Sequence, residues 1–409
     1  MDKILFTSES VSLGHPDRLC DTIGNAILTE ILKHDKNAHV GIEALATKNF
    51  LVLSGEVSST FTPDYEGIAR RVVKEIGYTK PEYGFCYDTF QFINKINTQS
   101  PDIAQGVNRE NGVIGAGDQG IIFGFATNET EHFYPLAATI ANALTTAYQD
   151  YIKKDSNFRP DAKSQVTINY TTGEIDTIVF AASHNESASQ EFVARTIKEN
   201  VIIPVLKDLV NPDSYKNTKF FINATGKFVI CGPEGDAGVI GRKLVVDSYG
   251  GYAKIGGGCT NAKDPSKVDA SAARAARHAA KNLVAAGIAQ VATIQLAYAI
   301  GVAQPVSIAV DTESTGIIPD EKIAAILGEI YDFSPAAIIK NLHLTETNYE
   351  AITSTGQFGQ AASVVKDGDN DLYFYPWEDL NLVEDFKKAF VESESSKKED
   401  FTPASSKKK

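Results

Sequence analysis

The chain has 409 residues, 43% hydrophobic and 22% charged, the composition of a folded globular protein of roughly two to four domains. Its net charge of −13 argues against wholesale binding to nucleic acid or an anionic membrane, while leaving room for a local basic pocket. No apolar run approaches the roughly 20 residues that cross a bilayer, the first residues lack an apolar signal core, and the four cysteines are scattered without a CxxC pair. The expected setting is therefore the cytoplasm, with reduced thiols.

Residues 11–22 read VSLGHPDRLCDT, and after them Leu19, Ile23, Ile27 and Ile31 recur every fourth position. That stripe predicts a helix over 19–33, with Pro16 in its first turn and His15 and Asp17 at its N-terminus, where free N–H groups favour anions. Alternating runs predict strands at HVGIEALAT, FLVLSGEVSS, GIIFGFAT, SQVTINYTT, DTIVFAAS, TKFFINAT and PVSIAVDT. Further helices are predicted at 64–76, 135–153, 188–210, 268–286 and 319–331. Half-buried antiparallel strands grouped between helices read as an α+β fold in which helices cover one face of each sheet. The blocks are 1–100, 113–230 and 231–385. Residues 101–112, rich in glycine and polar residues, read as a mobile loop of lid length, and 386–409 as a disordered tail.

Polar constellations carry the chemistry. GAGDQG at 115–120 places Asp118 among glycines, and GPEGDAGVIGRKLVVDSYGG surrounds Asp236, Arg242 and Lys243 with them. Adjacent Arg242 and Lys243 reach one ligand only if the backbone bends between them. Gly256, Gly257 and Gly258 precede Lys263, Lys267, Asp269 and an alanine-rich helix, with Ser266 and Asp269 in an S-x-x-D capping pattern and Gly287 as the stop. A glycine-rich loop with lysines before a helix suits polyphosphate, yet it matches neither GxxxxGK[ST] nor GxGxxG. His15, Lys163, Arg242, Lys243, Lys263 and Lys267 supply cations, and Asp17 and Asp269 are hard oxygen ligands suited to Mg²⁺. Neither a nucleophile motif nor paired transition-metal ligands accompany them, so the pattern points to electrostatic stabilisation of a departing polyphosphate.

The chain resembles the S-adenosylmethionine synthetase family through FTSESVSLGHPDR, GAGDQGIIFGFATNET, DAKSQVT, KFFINATGKFVICGPEGDAG, GRKLVVDSYGG, GGGCTNAKDPSKVDASAA and YAIGVAQP, which lie in the family's order over residues 3–360. The resemblance implies three similar domains in a pseudo-threefold arrangement, and synthesis of S-adenosylmethionine from L-methionine and ATP followed by hydrolysis of the tripolyphosphate. It implies His15 beside the departing oxygen and Lys163, Arg242, Lys243 and Lys263 on the triphosphate. The ATP site would add Asp161, Lys227, Phe228, Asp236 and Cys259. Methionine would meet Glu56, Gln99, Asp118, Asp236, Lys267 and Ile300. Asp17 and Asp269 would bind Mg²⁺, two ions per site, and Glu43 K⁺. Residues 99–109 match the family's gating loop. The implied active unit is a homodimer, or a dimer of dimers, with its site between subunits. Leu13, Arg18, Cys259 and Ala270 depart from the family's usual residues. A kinase or ligase would need a similar cationic site but would leave the methionine-pocket matches unexplained.

Overall fold

The computed structural model describes residues 4–98, 115–368 and 370–390. One pattern, a strand, a long helix and an antiparallel hairpin, is laid down three times. First come β1 (Leu5–Val11), α1 (Pro16–His34), β2 (His39–Thr47) and β3 (Phe50–Ser58), followed by α2 (Tyr65–Ile76) and β4 (Gln91–Asn97). Next come β5 (Gly120–Thr127), α3 (Leu136–Tyr151), β6 (Phe158–Asn169) and β7 (Glu174–His184), followed by α4 (Gln190–Ile197), α5 (Ile203–Leu209) and β8 (Lys219–Ile222). The third round has β9 (Gly238–Val239), α6 (Leu244–Asp247), α7 (Val268–Ala285), β10 (Val291–Tyr298) and β11 (Ser307–Asp311). After it lie α8 (Asp320–Ile330), α9 (Pro335–Asn341) and a hairpin of β12 (Ser363–Asp367) and β13 (Asn370–Phe374).

The first strand of each round joins another round's sheet. β1 pairs with β6, β5 with β10 and β9 with β2, all antiparallel, giving sheets ordered β1-β6-β7-β8, β11-β10-β5 and β4-β3-β2-β9. α3, α7 and α1 respectively pack against these sheets. This cyclic exchange relates three similar α+β units to one another. The alternation read from the sequence explains the layers: in β2, Val40, Ile42, Ala44 and Ala46 are buried while Glu43 and Leu45 face outward. α7 is alanine-rich because it lies close to its sheet, and a Cβ at Gly124 of β5 would stand 2.1 Å from the Ala276 carbonyl carbon.

Differences from the expected elements have local causes. The helix over 188–210 is interrupted by a π-helical turn at Lys198–Ile202. Pro204 follows it and has no N–H to give to the ladder. β1 escapes a hydrophobic reading because Ser8 and Ser10 occupy its buried positions, Ser10 sharing a 3.2 Å hydrogen bond with Thr145. β4 and β10 were likewise absent from the expected strands, although β10 alternates buried and half-exposed residues along its length. Residues 383–390 are helical, with Phe386 and Phe390 buried, so chain expected to begin a tail at 386 starts in the core. Residues 391–409, and with them the rest of that tail, lie outside the described residues, as does the loop 101–112.

The C-terminal segment is clamped from inside. Trp377 is fully buried and its indole N–H donates to the Gln357 carbonyl at 2.6 Å. Glu378 accepts from Arg277 Nε at 3.0 Å and Nη2 at 2.8 Å, from Lys281 Nζ at 2.8 Å and from the Gly359 amide at 3.0 Å. Removing the carboxylate leaves two buried cations unbalanced, so Glu378→Ala is expected to destabilise the fold by about 3–5 kcal/mol. Thermal and denaturant unfolding test this, and a loss below about 1 kcal/mol would refute the clamp.

Candidate active site

The helix start builds the first part of the site. His15 is the N-cap of α1, Pro16 opens the helix, and the Asp17 amide donates to His15 Nδ1 at 3.2 Å. In a neutral ring that leaves the proton on Nε2. Burial, aided by Lys243 and Lys163, pushes the His15 pKa down to about 3, against an opposing pull from Asp17. The ring is therefore a neutral N–H donor. The turn before it is fixed against β6: Ser12 Oγ donates to the Pro160 carbonyl at 2.7 Å and accepts from the Ala162 amide at 2.8 Å, and Tyr78 donates to the Gly14 carbonyl. A Cβ at Gly14 would stand 2.3 Å from the Pro160 backbone, so glycine is required there.

Two other segments close on this point. Val11 pairs with Lys163 across β1 and β6. From the loop before α6, Lys243 donates to Asp17 Oδ2 and Arg242 Nη1 stands 3.7 Å from Asp17 Oδ1. Gly241, at φ 77°, supplies the bend that lets both cations face one carboxylate, as the sequence required. Burial alone would raise the Asp17 pKa, but the hydrogen bonds from Lys243 and from the Val239 amide at 2.9 Å hold it below the usual range. Asp161 is buried, accepts from the Gly232 amide at 2.8 Å, and its Oδ1 has no partner among the described residues. Burial pushes its pKa up to about 6, with the Gly232 hydrogen bond and Lys163 opposing. The half-buried Phe228 accepts from the His184 amide at 2.9 Å and donates its own amide to His184 Nε2 at 3.1 Å, while Lys227 is exposed and 3.2 Å from Glu186; Asp236 is exposed and adds to the field on Asp161.

A second cluster lies on the outer face of the β2–β3 sheet and the glycine-rich loop. Lys263 forms a bridge to Gly41 and an ion pair with Asp269 at 3.0 Å. Asp269 fills the space over Gly258, where a Cβ would stand 2.0 Å from its carboxyl carbon. Glu43 and Glu56 share the outer face on neighbouring strands, and partial desolvation raises the Glu43 pKa, opposed by Lys263 and assisted by Glu56. Lys267 Nζ donates to the buried Asp264 at 2.6 Å. The expected capping box is not formed: Lys267 is the N-cap of α7 without a side-chain cap bond, Ser266 Oγ has no partner among the described residues, and Asp269 turns to Lys263. Cys259 is half-buried, and burial pushes its thiol up to about 12, so it is no nucleophile. Asp118 and Ile300 are both exposed, on loops tied together by hydrogen bonds between Ala116 and the backbone of Gly301 and Val302. Gln99 and the gating segment 99–109 lie outside the described residues.

This assembly can bind a polyanion and donate a hydrogen bond from an uncharged imidazole. Three family models match the chain: S-adenosylmethionine synthetase N-terminal domain over 3–101, central domain over 113–228 and C-terminal domain over 230–367. The chain belongs to the S-adenosylmethionine synthetase family. The fold of three units described above is the architecture of that family, whose members use ATP and methionine and need metal ions. Among the described residues no helix is long and apolar enough to cross a membrane.

The sequence reading missed the buried polar side chains behind the site. Asp21 and Asn25 continue Asp17 at four-residue spacing, and Asp247 and Asn261 face them from the later loops. That spacing was the available signal. Burial makes the folded chain bind the His15 proton less tightly than a solvated imidazole does. Its proton is bound more tightly in the unfolded chain, so this group's contribution to stability is complete above about pH 6.5 and fades as pH falls toward 3. Histidine NMR across pH 4–8 should show a His15 resonance, assigned by its loss in His15→Asn, that does not titrate; a midpoint near 6.5 would refute the neutral donor.

Proposed function

We propose that this synthetase-family chain joins L-methionine to ATP as a methionine adenosyltransferase. The observation that carries the reading is the neutral, buried His15, with its free Nε2–H, set among Lys163, Arg242 and Lys243. The methionine sulfur attacks C5′ of the ribose, the S–C5′ bond forms as the C5′–O bond breaks, and the electron pair stays on the triphosphate oxygen. A thioether loses no proton, so the step needs no base and depends on alignment and on stabilising the departing oxygen. His15 donates to that oxygen. Because burial and the neighbouring lysines keep the ring uncharged, its Nε2–H is a fixed donor for that oxygen across the neutral pH range. Lys243 and Lys263, tied to Asp17 and Asp269 in the free chain, are ammonium groups that the triphosphate takes over, with Lys163 and Arg242 beside them. The orphaned Oδ1 of Asp161 suits an N–H or O–H of the nucleoside, and Phe228 an adenine face. The tripolyphosphate is then hydrolysed to pyrophosphate and phosphate.

Asp17 and Asp269 fit Mg²⁺ by chemistry, since the ion favours one or two carboxylates completed by phosphate and water over an all-protein cage. When bound, Mg²⁺ supplies charge neutralisation on the phosphates. Glu43, its pKa raised by desolvation and by Glu56, suits K⁺. Glu56, Gln99, Asp118, Asp236, Lys267 and Ile300 are proposed for methionine, and the segment 99–109 as the gate. Cys259, Lys227 and Asp236 complete the proposed ATP set.

Among the described residues no hydrogen bond or ion pair joins the His15 cluster to the Lys263–Asp269 cluster. Leu45, Ile93 and Ile121 leave apolar surface on the outward sheet faces. Both features favour a homodimer, or a pair of dimers, in which one subunit's first cluster meets its partner's second. The cytoplasm is the proposed location.

Purified protein given methionine, ATP, Mg²⁺ and K⁺ is expected to yield S-adenosylmethionine by mass; a phosphorylated product instead would favour a kinase. Chelation of divalent ions should abolish synthesis. His15→Asn should lower it roughly 10²–10³-fold, with little change in melting because asparagine also caps helices. Near-normal synthesis would make His15 architecture only. Mixing inactive His15→Asn and Lys263→Ala chains, refolded together, should restore activity if sites span subunits; no recovery would place both residues in one subunit's site.

A further inference from the structure

One face of α1 carries Asp17, Asp21, Asn25 and Thr29 at intervals of four, and each accepts a backbone N–H from a segment more than 200 residues downstream. Asp17 accepts from Val239 at 2.9 Å, Asp21 from Gly241 at 2.9 Å, Asn25 from Ala262 at 2.7 Å and Thr29 from Glu350 at 3.1 Å. A helix rises about 6 Å over four residues, so the row is a rigid scale with evenly spaced acceptors. The two middle acceptors hold the residues immediately before the cations: Gly241 precedes Arg242 and Lys243, and Ala262 precedes Lys263. Both held residues have left-handed backbones, Gly241 at φ 77° and Ala262 at φ 56°. For Ala262 that conformation costs energy and persists only where its surroundings impose it. Asn25 is fully committed, its Nδ2 donating to Asn261 Oδ1 at 2.9 Å and to Thr353 Oγ1 at 3.0 Å. α1 also approaches closely there, since a Cβ at Gly24 would stand 2.6 Å from the Ala262 Cβ.

We propose that Asp21 and Asn25 are positioning residues: Asp21 sets where Arg242 and Lys243 stand relative to His15, and Asn25 sets where Lys263 stands for the site shared with a partner, each by fixing the backbone turn in front of those cations. The proposal rests on the adenosyltransferase reading for its kinetic consequence and on geometry for the rest. Thr29 is the matched control, because it makes the same kind of bond from the same face to Glu350, a residue outside the proposed site.

The experiment compares Asp21→Ala, Asn25→Ala, Asp21→Asn and Thr29→Val with the unaltered chain, measuring melting temperature, kcat and KM for ATP, and affinity for inorganic tripolyphosphate. Misplacing charges by about an ångström should lower kcat roughly 10–100-fold in Asp21→Ala and Asn25→Ala. Tripolyphosphate affinity should fall with it. Asp21→Asn keeps an acceptor for Gly241 and should stay within about threefold of the unaltered kcat. Thr29→Val should melt lower but keep kcat. The proposal is overturned if the alanine variants retain kcat and tripolyphosphate affinity, or if Thr29→Val loses as much as they do. If the unaltered chain makes no S-adenosylmethionine, the adenosyltransferase reading fails by itself. Selective loss of tripolyphosphate affinity in the two alanine variants would then still support the positioning role, and unchanged affinity would overturn it.

Discussion

Arg18 and Asp247 meet inside the protein with each side chain only 1% exposed, and the site depends on that contact. Arg18 stands next to the Mg²⁺ candidate Asp17, and Asp247 ends the short helix that begins after Lys243. Asp247 Oδ2 also accepts from Asn261 at 2.8 Å, which in turn accepts from Asn25 and from Gln357 at 3.0 Å. A buried ion pair repays its desolvation only when the remaining polar atoms are satisfied. Here the carboxylate has both oxygens occupied, although Arg18 Nε has no partner among the described residues. Such a network adds little net stability compared with an apolar core. Its value is in specifying a single arrangement of α1, the Arg242–Lys243 loop and the glycine-rich loop, three segments far apart in sequence.

Electrostatic logic links that arrangement to the chemistry. The chain is acidic as a whole, at −13, yet its glycine-rich motifs collect ammonium and guanidinium groups at one helix start and along one loop. In the free chain each metal-candidate carboxylate is balanced by a lysine, Asp17 by Lys243 and Asp269 by Lys263. Each lysine is thus held beside a carboxylate, and on the proposed reading a polyanion would exchange one set of partners for another. His15 remains neutral in this field because desolvation and neighbouring positive charge act in the same direction on its pKa.

Much of this was legible in the amino-acid sequence. Alternation located β2, β3, β5 and β7, four-residue periodicity located α1, and the glycines around Arg242 and Lys243 announced a bent backbone. What escaped was non-local. β1 reads as polar because it buries Ser8 and Ser10, of which Ser10 meets Thr145 on α3 while Ser8 Oγ has no partner among the described residues, and β9 is two residues long and exists only by pairing with β2. The S-x-x-D pattern at Ser266 matched a capping box, but Lys263, three residues earlier, competes successfully for Asp269. Asp21 and Asn25 were hidden within a helix whose apolar stripe dominates the pattern; polar residues buried on a long helix acquire meaning only once their distant partners are known. Arg18, seen as a departure from the family, turned out to be the buried partner of Asp247.

The exchanged first strands also constrain the order in which the molecule can be made. The sheet holding β1 needs β8, ending at Ile222; the sheet holding β2 and β3 needs β9, at Gly238–Val239; the sheet holding β5 needs β10, which begins at Val291. A nascent chain emerging from the ribosome therefore carries its amino-terminal half with open sheet edges until most of the polypeptide has been synthesised. Long-range pairing of this kind folds slowly and leaves strands available for wrong partners. Synthesis in the cell places a premium on holding those edges apart, and a chain terminated before Ile222 has no completed sheet on which to stop.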